Sequence, residues 1–220
     1  MSTRQPYLFR LRYLFITGIV VVLLWVGVGL LDRLRTPSTR MASLAHAKQI
    51  YLALAEFAID YDGTYPLAFD DSNSAYRQLF SERFNDERLF FEPENAWHDS
   101  LPAGSTGPDC KIGTAPDYSE ALTQGENHWA YYNGLNNGSR GNLPLIMDGF
   151  TENVGIYSLD PHQIGGIVGD KGVTIVRADG SGMMSRPDAD GKIRTRRDGH
   201  DVDFFSSEGG TDSDRLHNPL

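Results

Sequence analysis

"AKQIYLALAEFAIDYDGTYP", residues 47–66, is the stretch that decides the fold. Its apolar residues Ala47, Ile50, Leu54, Phe57 and Tyr61 recur at spacings of three, four, three and four, which places them on one face of an α-helix. Leu44, Tyr51 and Ala58 widen that face to the breadth of a helix lying on a sheet, beyond the narrow seam of a coiled coil. The face can serve as a core surface or as an assembly surface, and core burial is the plainer use. Ser38 can cap the start, Asp62-Gly63 supplies a left-handed closure and Pro66 blocks continuation, so the predicted helix runs from about Ser38 to Tyr61.

Upstream lies "YLFITGIVVVLLWVGVGLL", residues 13–31, nineteen residues without a charge. At about 1.5 Å per residue it nearly matches a hydrocarbon core of roughly 30 Å. Arg10 and Arg12 flank one end, and Asp32, Arg33 and Arg35 the other, as expected of a transmembrane anchor. A cleaved signal peptide has a shorter apolar region of about 7–15 residues, so retention as a signal anchor is expected. Residues 1–12, with Arg4, Arg10 and Arg12, are then a cytoplasmic segment, and residues 32–37 a juxtamembrane linker in which Pro37 disfavours helical geometry at Thr36. The rest of the chain is expected outside the cytoplasm. In a bacterium this means a single-pass inner-membrane protein with its C-terminal domain on the periplasmic side.

Downstream, strand signals dominate. "NHWAYYNGL", residues 127–135, ends at Asn-Gly; "LPLIMDGF", residues 143–150, is closed by Asp-Gly; "GVTIVRADGSGMM", residues 172–184, turns at Asp179-Gly180. One long helix followed by such strands predicts an α+β domain over residues 38–185, with the amphipathic helix packed on a small antiparallel sheet. "SAYRQLFSERF", residues 74–84, has helical periodicity, whereas residues 101–126 are rich in Pro and Gly and are expected to form an exposed excursion. Residues 186–220 form a separate acidic, Gly/Asp-rich C-terminal region.

Composition narrows the function. All 29 acidic but only 17 of the 20 basic side chains follow residue 31, a balance of −12 that repels nucleic acid. Cys110 is the single cysteine, so no intrachain disulfide forms and zinc-finger spacings are absent. His46, His98, His128, His162, His200 and His217 are scattered without an H-x-x-x-H pair and are expected at the surface or in caps. No nucleophile elbow, P-loop or dinucleotide fingerprint is present, and "QIGGIVGDKG", residues 163–172, lacks the G-K-[ST] ending of a phosphate cradle. The expectation is a non-enzymatic protein.

The segments "KQIYLALAEFAIDYDGTYP", "YYNGL", "PLIMDG" and "VTIVRADGSG", with His162 followed by Ala178-Asp179-Gly180, occur in an order that resembles the type IV pilin and type II secretion pseudopilin superfamily. Within it they are most similar to the pseudopilin-like proteins abundant in Planctomycetes and Verrucomicrobia. The resemblance covers roughly residues 38–184. It implies a structural protein of a type II secretion or type IV pilus-like envelope assembly, with other pseudopilin-like subunits or secretion components as partners. The anchor departs from the family's pattern. Residues 13–31 contain no Glu, and no Gly-Phe-Thr-Leu-x-Glu-like peptidase site precedes them. The departure touches both peptidase processing and polymerisation, which leaves a second reading: a membrane-tethered extracytoplasmic binding module for a glycan or calcium that does not polymerise. Trp97, Trp129, Tyr131 and Tyr132 are its candidate sugar-stacking residues, against a plainer role in the core.

No cofactor is expected unless calcium binds in the C-terminal region. Asp198, Asp201, Asp203, Glu208, Asp212 and Asp214 are the oxygen ligands that region offers. Major pseudopilins bind calcium in a C-terminal loop to which "DVDFFSSEGG" is distantly similar; the plain alternative is a solvated acidic tail. An EF-hand is excluded, because Arg186 and Arg197 stand at its first and last ligand positions around Asp188, Asp190 and Gly191.

Overall fold

Residues 41–60 form a continuous helix, α1, in a computed structural model that describes residues 41–81, 84–167 and 172–220. The segments expected at residues 1–12, 13–31 and 32–37 lie outside the described residues. Among the described residues no helix is long and apolar enough to cross a membrane. Ala47, Ile50, Leu54 and Ala58 form the buried face of α1, each at most 2% exposed. Phe57 sits at the rim, half-buried. Tyr61 differs from expectation: it follows the last helical residue, is 58% exposed and stacks on Phe57 with ring centroids 4.0 Å apart.

The helix closes where Asp62 and Gly63 adopt positive φ (50° and 82°) and the Gly63 N–H donates to the Ala58 carbonyl at 2.7 Å. At Gly63 the φ of 82° is what favours glycine, since the Asn137 side chain that a Cβ would meet is exposed and free to shift. The exit is pinned to the sheet, since the Tyr65 N–H donates to the Leu135 carbonyl and the Tyr131 hydroxyl to the Pro66 carbonyl.

Among the described residues seven strands follow: β1 (Trp129–Tyr132), β2 (Pro144–Asp148), β3 (Val173–Arg177), β4 (Gly182–Ser185), β5 (Arg194–Arg197), β6 (His200–Asp203) and β7 (Leu216–His217). Five of them make an antiparallel sheet in the order β4-β3-β2-β1-β7, and β5 and β6 form a separate hairpin. The α+β class predicted from the pattern, a helix on an antiparallel sheet, is the observed one.

Side chains alternate across a strand, so Thr174 and Val176 face one side of the sheet and Ile175 and Arg177 the other. α1 covers the first side, with Ser43 Oγ 3.4 Å from Thr174 Oγ1 and the Tyr51 hydroxyl donating to the Ala178 carbonyl at 3.3 Å. Phe150, Tyr157, Phe204 and Phe205 build the second side, with Phe205 meeting Phe150 edge-on at 4.9 Å and the Arg177 guanidinium over Phe204. With both faces covered, the inner strands β1, β2 and β3 are buried almost throughout, and each fully buried large side chain contributes about 1.5–3 kcal/mol.

Three expectations are corrected, wholly or in part. First, the helix expected over residues 74–84 stops early. α2 (Ser72–Arg77), capped by Asp71, gives way to tight turns in which Leu79 N donates to Tyr76 O and Phe80 N to Arg77 O. Its aromatics collapse instead around Phe90, which lies 5.2 Å from Tyr76 and 5.9 Å from Phe80. Second, the exposed excursion expected at residues 101–126 holds for residues 101–120, none of which is buried, but not for the end of the segment, which turns into the core. Ala121 and Leu122 are fully buried, and a buried network holds its end: Asn127 donates to Ser72 Oγ and Asn73 Oδ1, while Asn73 donates to the Leu122 carbonyl. Third, residues 186–220 are no separate tail. Ser43–Leu220 is one compact unit, and β7 completes the sheet beside β1.

Candidate functional site

Glu87 heads the four-residue 3₁₀ turn Glu87–Phe90, where Asp86 caps the turn and pairs with Arg88. Two carboxylates from the long connection, Asp109 and Glu126, come to the same place. One oxygen from each of the three lies within 4.8 Å of the others. Glu87 is 0% and Glu126 2% exposed, while Asp109 opens to solvent.

Most of the oxygens have donors. Glu87 Oε1 accepts from the Leu122 N–H at 2.7 Å, Glu126 Oε1 from the Asp109 N–H at 2.8 Å, and Glu126 Oε2 from both the N–H and hydroxyl of Thr123 at 2.7 Å. Asp109 accepts from the Lys111 N–H and ammonium. Glu87 Oε2 alone is buried without a hydrogen-bond partner. Burial pushes the Glu87 carboxyl up to about 7, and the charges of Glu126 and Asp109 add to the rise; the backbone amides of Leu122 and, more weakly, Cys110 work the other way. Asp109 is held below its usual range by the hydrogen bonds from Lys111. Three carboxylates without nitrogen or sulfur make a site suited to a hard cation.

A second buried polar group adjoins it. His128 is 1% exposed, its Nδ1 lies 2.8 Å from the Phe90 carbonyl oxygen, and its Nε2 stands 3.5 Å from Asp148 Oδ1. His98 accepts from the Glu92 N–H through Nε2 and bonds the Gly125 carbonyl through Nδ1. Burial, followed by the charge of His128, lowers the His98 pKa to about 4. These two histidines were expected at the surface or in caps. Both instead tie the 3₁₀ turns to the end of the long connection, and no hydroxyl or thiol bonds to His128 Nε2.

The six C-terminal acids do not converge. Asp198 and Gly199 (φ 50° and 85°) make the two-residue turn of the β5–β6 hairpin, as suits a type I′ geometry. Asp201 stands opposite Arg196, and Asp203 opposite Arg194 with its Oδ2 3.3 Å from Lys192 Nζ. Glu208 is exposed, and Asp212 caps the Ser213–Arg215 turn that contains Asp214. Among the described residues the metal-competent cluster is the Glu87 group, and the calcium-ligand set expected in this region is not brought together: its carboxylates are spread over a hairpin, its turn, a loop and a cap, and Asp203 pairs with Lys192.

Three of the four sugar-stacking candidates take the plainer core role weighed against stacking. Trp129, Tyr131 and Tyr132 are at most 2% exposed, and Trp97 is half-buried. Tyr132 borders a groove of about 780 Å³ with Arg140, Lys192 and Phe205, but the Arg215 guanidinium covers its ring at 4.8 Å. Cys110 is free and exposed.

Of the helix residues expected to form a core or assembly face, Ala47, Ile50 and Leu54 lie in the core. The exposed side of α1 carries other apolar residues, Leu52 at 65% and Ile59 at 80% exposure, with Ala45 also exposed. A heptad count separates these three, a spacing legible in the sequence that the stronger inner stripe masked. No family model matches the chain, and no curated protein and no solved structure matches it either.

Proposed function

We propose that this chain is a structural, non-enzymatic, pseudopilin-like membrane protein of a type II secretion or type IV pilus-like envelope assembly. Residues 13–31 anchor it in a bacterial inner membrane, and the α+β head stands on the periplasmic side. The observation that carries this reading is the second apolar stripe of α1. Ala45, Leu52 and Ile59 line the solvent side of a helix whose other face is already committed to the sheet. A helix apolar on two sides needs a second surface to bury, and exposed apolar stripes mark protein–protein contacts. The motif order over residues 38–184 supports the same reading.

The test is disulfide trapping in native membranes. In a Cys110→Ser background, Leu52→Cys or Ile59→Cys is oxidised in the full-length protein. Linked dimers or adducts with a partner are expected at both positions, and none from an exposed polar site such as Glu94→Cys. Monomers alone at every α1 position would sink the assembly reading and favour the tethered module.

A further inference from the structure

We propose that Glu87, Asp109 and Glu126 bind a divalent cation of the calcium class, which fastens the long connection before β1 to the 3₁₀ turn after α2. This goes beyond the assembly reading and stands or falls separately from it. Two observations carry it. The three carboxylates converge from distant points of the chain to within 4.8 Å, the reach across one ion whose oxygen ligands sit at about 2.3–2.6 Å. Independently, Glu87 is fully buried and its Oε2 makes no hydrogen bond of normal geometry, the Cys110 amide being the weak donor near the carboxylate.

A buried carboxylate oxygen left without a partner is costly, so a native site retains one where something binds it. A proton on Glu87 would neutralise one charge and leave Glu126 and Asp109 facing it. A dication neutralises two and gives Oε2 its partner. The neighbouring side-chain cations do not fill that place, because Lys111 is bound to Asp109 Oδ2 and Arg88 to Asp86. Exposed Asp109 gives the ion access, and Lys111, itself 72% exposed, can swing away from it. All-oxygen ligation on irregular loops suits calcium, which tolerates flexible geometry, better than magnesium, which demands a tight octahedron. Ligands from both sides of the connection would make the ion a clasp, joining the Leu122 end through Glu87 and Glu126 and the outer loop through Asp109.

The experiment uses full-length protein in detergent, stripped with chelator and titrated with calcium chloride, then with magnesium chloride. Stoichiometry is read by equilibrium dialysis and affinity by calorimetry. One calcium per chain is expected, with a Kd between about 10⁻⁷ and 10⁻³ M, and a higher Tm on loading. Asp109→Asn, at an exposed position that leaves the core intact, weakens binding at least about tenfold, as does Glu126→Gln. The combined Asp198→Asn, Asp201→Asn, Asp214→Asn variant binds calcium as the parent does. Absence of stoichiometric binding up to about 5 mM calcium overturns the proposal. Binding that survives Asp109→Asn and Glu126→Gln overturns it too, as does binding lost only in the C-terminal variant.

Discussion

Two acidic regions of this molecule invert what their sequences suggest. The C-terminal stretch crowds Asp198, Asp201, Asp203, Glu208, Asp212 and Asp214 together, yet the fold deals them out along a hairpin, its turn and a cap, with Arg196 and Lys192 for company. Glu87, Asp109 and Glu126 are far apart in sequence, yet meet with two of the three buried. Density along the chain measures only how many charges must be kept in water. Convergence in space, with the water removed, is what makes a carboxylate's state depend on its neighbours.

The sharpest break of this comparison concerns whether the C-terminal region is held by its acids or by its core. Phe205, 3% exposed, packs against Phe150, Phe204 and Tyr157. Phe205→Ala is expected to cost about 3–5 kcal/mol in denaturant unfolding of the full chain, with the sheet's β7 edge lost in the same transition. A cost below about 1 kcal/mol would mean that residues 186–220 are a dispensable tail after all.

Acid and base should then separate the buried group from the exposed one. In cation-free buffer the Glu87 carboxyl, raised from 4.5 to about 7, favours the folded state fully below pH 4.5 and loses that contribution as pH rises to about 7. The loss is up to roughly 3 kcal/mol, less whatever screening exposed Asp109 admits. His98 runs the other way. Its pKa falls from 6.5 to about 4, so the unfolded chain takes the proton first, and stability present above pH 6.5 is lost as pH falls toward 4. The opposed slopes nearly cancel between about pH 4.5 and 6.5. Glu87→Gln should therefore unmask a profile that rises with pH across that window, and His98→Gln one that falls. Thermal melts of chelated protein at half-unit steps check both; two flat variant profiles would remove these groups from the account.

The sequence made the scaffold legible and the candidate site opaque, for physical reasons. α1 and strands β1 to β4 were readable because a helix or strand writes its own period into neighbouring residues. Tyr61 escaped because periodicity says nothing of where a helix ends relative to the sheet beneath it. The β5–β6 hairpin carried one signal, Asp198-Gly199, but its strands are Arg- and Asp-rich and lack apolar alternation. β7, two residues long, writes no pattern at all. The triad and the histidines needed the fold itself, since Glu87, His98, Asp109 and Glu126 sit in irregular segments whose burial is set by α2 and by the Asn73–Asn127 network.

The smallest predicted effect lies within one strand and tests the same principle at close range. Asp201 and Asp203 share β6 two residues apart and both face arginines across the hairpin. Asp203 is partly buried: its Oδ1 accepts from the Phe205 N–H at 3.0 Å and its Oδ2 lies 3.3 Å from Lys192 Nζ, with 17% of the side chain exposed. Asp201 is exposed. Asn retains the oxygen that accepts from Phe205, so Asp203→Asn removes the charge more than the bond, and a loss of roughly 1 kcal/mol is expected, shrinking in high salt. Asp201→Asn should shift Tm by less than about 2 °C. If the two substitutions cost the same, burial is not what distinguishes one carboxylate from another in this protein. The contrast drawn between the Glu87 group and the C-terminal acids would then have to rest on something other than the removal of water.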